Sequence, residues 1–380
     1  MNNNLVLLFN LNHLQDINKS LDKKKKLLIQ LLSKNVKARI TNFMSITSLY
    51  DDIDFKSHFR LTRSSVEVLM CKMKHLYKSP NIKGGRPGVD FHKATLLTIW
   101  YLSNTETFRQ VGDRFGLNRG LACRTIHKYI RALSNLLDEF IIWPRGSSET
   151  KTVQDFKNLR INYVPNTIGC IDGCHIRMHS EKAKRSDYTN RKMFQSIVLL
   201  AVCNAHLEFT YIFSGWPGSS HDARVFKNSS LGNTLINNPQ EMISKDLHIL
   251  GDSAFPLLEN LLVPYKATHI LSDREKLFNR RLSSTRVVIE QAFGLLLGRF
   301  RRLKSLESKS VELMSLTVTG ACILHNLALK NNDLFGIEDN DQDMDVSTDE
   351  IHQDVGVSIA VTQRNGIDKR NELSLRFYEH

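Results

Sequence analysis

The chain has 380 residues, enough for about two domains with cores of their own, and its ordinary hydrophobic (41%) and charged (24%) fractions exclude a fibrous or wholly disordered protein. Its formal net charge is +13, and nine acids with no Lys or Arg fall between Asn332 and Asp354, so the rest of the chain is more basic still. A body that basic expects a polyanion, most simply nucleic acid; the bland alternative is a solubilising surface.

Six cysteines, scattered through apolar or helical contexts, lack the density of a secreted disulfide scaffold. The apolar run Leu5–Phe9 is too short for a signal peptide's core and has no positive region before it. No stretch reads as approaching the length that spans a bilayer. The expectation is an intracellular soluble protein with no membrane partner.

Residues 1–60 read as helical and basic. Lys23–Lys26 suits a nuclear-import signal, DNA-backbone contacts or the solvated end of an amphipathic helix. Ser64-Ser-Val-Glu67 reads as a capping box, and Val66, Leu69, Met70, Met73, Leu76 and Tyr77 follow at helical spacing as core. A breaker runs from Pro80 to Gly88, after which Asp90 can cap a helix carrying Leu96, Leu97, Ile99, Trp100 and Leu102. Thr107 to Lys128 reads as helix, glycine-containing turn, helix. That is the helix-turn-helix pattern, with Asn118, Arg119, Arg124 and Lys128 exposed on its second helix; an ordinary antiparallel helix pair fits as well.

Trp143–Ser148 reads as a linker into a β-rich regime. The predicted strands are Thr167–Ile176, Ser196–Cys203, Phe209–Gly215, His248–Gly251 and, more weakly, Thr268–Leu271, with Asn204–Leu207 making a hairpin between the second and third. Strands followed by helices describe a mixed α/β layer. Beyond Asp273 the chain reads as helical, with a long helix over Ser284–Lys304 and a mostly apolar, buried one over Val311–Leu329. Residues 331–380 read as an acidic, mostly disordered tail.

The chemistry is predicted to lie in three separated acids: Asp172 inside the first strand, Asp252 at the end of another, and Glu290 on the long helix, with thirty-seven residues between it and Asp252. A carboxylate inside a strand is costly to bury unless a metal or a base pairs with it. Phosphodiester hydrolysis uses two divalent ions about 4 Å apart, held by carboxylates from separate elements. At 100° per residue, Arg286, Gly294 and Arg301 lie within about 40° of Glu290, whereas Ile289, Phe293, Leu296 and Phe300 face elsewhere. Gly294 and Gly298 each weaken the helix by about 1 kcal/mol against Ala, which close approach of DNA or of another helix would explain. Cys170, Cys174 and His175 lack the second Cys/His pair that a structural zinc site needs. Asp222 follows Pro217-Gly218 and could simply cap a helix.

These residues carry a resemblance. Ile171-Asp172-Gly173, Tyr188–Lys192, Gly215–Ser219 with His221-Asp222 and Arg224–Phe226, Gly251–Ala254, Arg286 with Glu290, and Leu324-His325-Asn326 occur in this order. Together they resemble the PIF/Harbinger superfamily of DDE transposases, and especially the Harbinger-transposase-derived nucleases of animals, from about Phe55 to Leu329. Cys174 stands where the family often has Thr, and Phe255 where Tyr is usual; neither touches a carboxylate.

The resemblance implies an α/β fold with an RNase H-like catalytic core over residues 150–330, preceded by an all-α DNA-binding region with a helix-turn-helix over 1–145. It implies a DNA nuclease, a hydrolase of phosphodiester bonds, with Asp172, Asp252 and Glu290 catalytic. Those three and Asp222 would bind a divalent cation, Mg²⁺ or Mn²⁺. Arg286 and the Arg299–Arg302 cluster would grip the DNA backbone. The partners expected are DNA, a Myb-like accessory protein and a second copy of the chain, in the nucleus or also the cytoplasm. The rival expectation is a domesticated DNA-binding or adaptor protein that keeps the fold without catalysis.

Overall fold

The structure is a computed structural model that describes residues 17–29, 39–77, 88–179, 185–266, 270–308, 310–334 and 357–379. The run Leu5–Phe9, most of the Pro80–Gly88 breaker, Lys182, Lys184 and the acids from Glu338 to Asp354 lie outside these residues. The first unit, Met1–Thr41, contains helix α1 (residues 17–29), whose side chains, Lys23–Lys26 among them, are exposed.

The second unit, Asn42–His380, begins with helices. They are α2 (Phe43–Leu49), α3 (Asp52–Phe59), α4 (Arg63–Met73), α5 (Phe91–Ser103), α6 (Phe108–Arg114), α7 (Arg119–Ser134), α8 (Leu137–Phe140) and α9 (Ser147–Leu159). Asp90 caps α5 as predicted, its Oδ2 accepting from the N–H of Lys93 at 3.2 Å. The predicted box at Ser64–Glu67 does not start α4. Thr62 does: its hydroxyl accepts from the N–H of Ser65, and its own N–H donates to Asp333 Oδ2 at 2.7 Å. The helix start, tied to a distant partner, thus lies two residues earlier than the local pattern. Val66, Leu69, Met73 and Tyr77 are buried as expected, while Leu76 is exposed. The Trp143–Ser148 segment is tied down, with Trp143 Nε1 donating to Met242 O at 2.7 Å and Arg145 Nη1 to Glu241 O at 2.7 Å.

A five-stranded sheet forms the centre: β1 (Thr167–Arg177), β2 (Ser196–Cys203), β3 (Phe209–Pro217), β4 (His248–Leu250) and β5 (Leu261–Leu262), in the order β3-β2-β1-β4-β5. The β1–β2 and β2–β3 pairs are antiparallel, and β1–β4 and β4–β5 are parallel. The first four strands match the predicted ones to within two residues. Of the strand expected at Thr268–Leu271, Thr268 and His269 lie outside the described residues, Ile270 and Leu271 lie outside any strand with Ile270 94% exposed, and among the described residues the fifth strand is Leu261–Leu262. Two residues are too few to show an alternating pattern in sequence. β2 is buried along its whole length, as a central strand covered on both faces must be.

Short helices α10 (Arg185–Tyr188), α11 (Asp222–Asn228) and α12 (Ser230–Asn237) connect the strands. They are followed by α13 (Asp273–Arg299), α14 (Val311–Lys330) and α15 (Val357–Glu379). α13 opens with a capping box, Ser272 and Glu275 each accepting from the other's backbone N–H. Among the described residues α14 is the one helix long and apolar enough to cross a membrane, which corrects the expectation that no stretch approaches that length; 72% of its apolar window is buried inside the fold. It packs against α7 on one side and β3 on the other. Gly320 admits the first contact, since a Cβ there would lie 3.0 Å from Leu133 Cδ2. Asn326 locks the second: its Nδ2 donates to Phe140 O (2.9 Å) and Phe209 O (2.7 Å), and its Oδ1 accepts from Phe209 N (2.9 Å).

The tail expectation needs correcting at both ends. Asp333 is buried, its carboxylate receiving Lys56 Nζ at 2.9 Å and Arg299 Nη1 at 3.4 Å. Residues 357–379 form α15, docked on α13, with Phe377 stacked on Phe278 (centroids 6.0 Å) and Tyr265 Oη donating to Asn371 Oδ1 at 2.7 Å. Average composition hid the amphipathic stretch behind the acids.

Candidate active site

Asp172 sits in the middle of β1 and is 2% exposed. Cys170 pairs with Leu250 on the parallel neighbour β4, so Asp172 and Asp252 each follow that pair by two residues. Side chains alternate along a strand, so residues two apart share a face, and the two acids leave neighbouring strands at one level. Asp252, 8% exposed, turns the chain after β4, its Oδ1 accepting from Ala254 N at 2.9 Å.

Glu290 comes from α13, which packs across β1 and is fixed there by Thr285, whose hydroxyl accepts from Val164 N at 3.2 Å. Arg286, one turn earlier, bridges the acids: its Nη2 donates to Glu290 Oε1 at 2.7 Å and its Nη1 lies 3.6 Å from Asp172 Oδ2. Nη1 is buried and reaches no hydrogen-bond acceptor. Glu290 is the open member of the group, its side chain 36% exposed against 3% for Asp172.

Asp222 is not a helix cap. His221 holds the cap position of α11 without a side-chain bond, and Asp222 is buried instead. Its carboxylate faces Gly173, where a Cβ would lie 2.5 Å from Oδ1. The structure therefore brings Asp222 to the residue next to Asp172.

Crowding of acids shows in their protonation. Burial pushes Asp172 up to about 7; Arg286 and the Gly173 N–H pull it down, while Asp252 and Glu290 add to the rise. Burial works to lower Arg286, yet Asp172, Asp252 and Glu290 together hold it above its usual range. Burial likewise pushes the Cys174 thiol up to about 12, with Asp172 and Asp222 adding to it.

The donor set suits a hard divalent cation: every donor is a carboxylate oxygen, three of the four acids are buried, and Asp172 is short of positive charge. The acids do not yet converge. Among the described residues no group of three or more His, Cys, Asp or Glu is close enough to hold an ion, and Arg286 bridges the space between Asp172 and Glu290.

Residues 171–326 match the family model for the DDE superfamily endonuclease. The chain is 29% identical over 225 residues to the rat protein named "Putative nuclease HARBI1", covering 58% of this chain and 62% of that one. The human protein of that name is 28% identical over the same shares. The chain is thus similar to Harbinger transposase-derived DDE proteins. It is also 25% identical over 300 residues to an Arabidopsis thaliana protein named "Protein ALP1-like", covering 74% of this chain and 72% of that one. The match to the animal relatives spans about three-fifths of their length. No solved structure matches the chain.

Within this chain several expected DNA contacts turn out to be internal. Arg299 and Arg302 are 2% and 3% exposed. Arg299 Nη1 donates to Arg60 O at 2.7 Å, and Arg302 donates to the carbonyls of Tyr101 and Glu106. A charge count cannot tell a solvated arginine from one consumed by backbone carbonyls, so both were misread as backbone grips. Arg286 is misread in the same way, being occupied by Asp172 and Glu290. Gly294 and Gly298 are buried.

On α7 the side chain of Asn118 is spent capping, accepting from Leu121 N at 2.7 Å, and Lys128 lies 4.8 Å over the ring of Tyr77. Arg119, Arg124 and Arg131 are exposed. His325 is structural: its Nε2 contacts Leu207 O at 2.9 Å, and burial holds it down at about 4. Sequence reasoning gave no role of their own to Asn190, Ser196 and Gly218, which brace the loops beside the acids; Asn190 and Gly218 stood out only through the family's blocks, and Ser196 only as the start of a strand.

Proposed function

We propose that this chain is a divalent-metal-dependent DNA nuclease, a transposase-derived hydrolase of phosphodiester bonds. Asp172, Asp252 and Glu290 would be its catalytic acids, with Asp222 a fourth metal ligand. The observation that carries the reading is that Asp172 on β1 and Asp252 just past the end of the parallel neighbour β4 each follow the paired Cys170 and Leu250 by two residues, with Arg286 bridging Asp172 and Glu290. The sheet order, three antiparallel strands continued by two parallel ones, supports an RNase H-like core.

Bound Mg²⁺ or Mn²⁺ would supply positive charge to the attacking and leaving oxygens of the phosphodiester. The residues do the rest. Asp172, held in β1, and Asp252, held in the turn after β4, would give two rigid ligands; Glu290, on the open side, leaves room for a substrate to enter. Arg286 orients Glu290 and keeps Asp172 partly ionised until a cation arrives. DNA is the substrate, met also by the exposed arginines of α7, with α6–α7 as the helix-turn-helix. A homodimer follows from a reaction that cuts two ends, and a Myb-like protein and a nuclear location complete the proposal.

The test replaces Asp172 with Asn and follows Mn²⁺-dependent nicking of supercoiled plasmid, with Mn²⁺ binding read by calorimetry. Loss of both is expected; undiminished cleavage sinks the assignment. A second reading, a DNA-binding adaptor without turnover, is favoured by one observation, the Arg286 bridge where ligands would need to converge. Wild-type protein that binds DNA but takes up no Mn²⁺ would establish it.

A further inference from the structure

Arg286 and a divalent cation call on the same two carboxylates. Asp172 has one oxygen engaged locally, its Oδ1 accepting from the Gly173 N–H at 2.8 Å, and the other, Oδ2, faces Arg286. Glu290 turns its Oε1 to the same guanidinium and accepts from Nη2 at 2.7 Å. A hard cation that joins these acids needs their oxygens within about 2.6 Å of itself. The guanidinium stands in that place, since it bridges Asp172 and Glu290.

Its hold there is loose for a buried arginine. Nη1 stops 3.6 Å from Asp172 Oδ2, beyond hydrogen-bond length, and is buried with no acceptor. A buried N–H without an acceptor is costly, so this seat is not an optimised one. Arg302, by contrast, donates to two backbone carbonyls and lies 4.3 Å over the ring of Tyr101. Backbone carbonyls are fixed, whereas Glu290 is a side chain on the open side, 36% exposed and one helical turn from Arg286. The contact between Arg286 and Glu290 can therefore open without moving the backbone. Like charges a few ångströms apart repel strongly in a buried site, because little water screens them. A guanidinium between Asp172 and Glu290 and a divalent ion bound to both thus exclude each other.

We infer that Arg286 is a built-in competitor of the cation: it fills the place between Asp172 and Glu290, and its departure toward the open side lets the two acids share one ion. This rests on the carboxylate metal site of the nuclease reading. It gives Arg286 a regulatory task, because the strength of its hold sets the cation concentration at which the site loads. A residue that merely propped Glu290 would do the reverse, and its loss would weaken cation binding.

The test is calorimetric titration of the full chain with Mn²⁺, for wild type, Arg286→Gln and Arg286→Lys, with Asp172→Asn marking the site. Gln keeps a donor for Glu290 and drops the charge; Lys keeps the charge. Arg286→Gln should bind Mn²⁺ about tenfold more tightly than wild type, and Arg286→Lys should stay close to wild type. Equal or weaker binding by a folded Arg286→Gln overturns the inference. A measurement on the wild type covers a variant that does not fold. Labelling of Arg286 by phenylglyoxal, read by peptide mass spectrometry, should rise as Mn²⁺ loads; unchanged or reduced labelling overturns the inference as well. Tighter binding by Arg286→Gln with no plasmid nicking by any form leaves the competitor standing and removes the nuclease reading. Nicking by wild type without tighter binding in Arg286→Gln does the opposite.

Discussion

Gly173 leaves the carboxylate of Asp222 the space it occupies: a Cβ on Gly173 would stand 2.5 Å from Oδ1. A methyl group there cannot share the position, and the carboxylate has to turn away. Gly173→Ala should therefore keep the fold, as read by circular dichroism, while Mn²⁺ affinity falls about tenfold, the loss typical when a ligand or its support is disturbed. Unaltered Mn²⁺ affinity would remove Asp222 from the ligand set.

The Arg299–Asp333 pair is the next point to probe. Both side chains are in the interior, at 2% and 0% exposure, and Lys56, the Thr62 N–H and the Ser65 hydroxyl also donate to the carboxylate. Asp333→Ala strands Arg299 as a buried charge and should destabilise the fold by about 3–5 kcal/mol in denaturant titration. Replacing both residues by apolar ones should restore much of that loss, which separates charge stranding from lost packing.

Asn326 predicts a loss of a different kind. Leu at this position keeps the volume but leaves Phe140 O, Phe209 O and Phe209 N without their partner. Each unsatisfied buried group costs about 1–3 kcal/mol, so Asn326→Leu should lower stability by roughly 3 kcal/mol or more. Hydrogen exchange at Phe209 should accelerate with it.

Lys369 gives α15 a pH dependence. Burial brings it down to about 8, against the opposing pull of Glu259, Asp246 and Glu372, and Nζ donates to Leu247 O at 3.1 Å. The unfolded chain keeps this proton up to the ordinary value of 10.5. Between these two values the unfolded state binds more protons, so Lys369's contribution makes stability rise with pH across that window. Lys369→Met should flatten the rise, measured as the midpoint of urea unfolding across that window.

How much could be read in advance depended on how local each feature is. β1, β2 and β3 were legible because each is a run of β-formers joined to the next by a short turn or a bounded insertion, α5 because its cap and apolar spacing agree, and α14 because its apolar run is nearly continuous; the long helix read over Ser284–Lys304 is α13, which starts eleven residues earlier and ends at Arg299. β5 escaped because two residues make no pattern, and α15 because its neighbours dominate the composition. Asp172, Asp252 and Glu290 could be named because a charge among apolar residues is conspicuous. Asp222 stayed ambiguous, since the start of a helix offers an acid an ordinary use. Arg299, Arg302 and Asp333 were misassigned to the surface, because their partners lie far along the chain and a formal charge carries no depth.

α14 has a mechanical corollary. It is the shared wall between α7 and β3, seated on one through Gly320 and locked to the other through Asn326. The span from the exposed arginines of α7 to the carboxylates is thus a fixed length rather than the reach of a tether. A duplex seated on α7 would meet the acids at one offset along its axis, and the molecule would behave as a ruler.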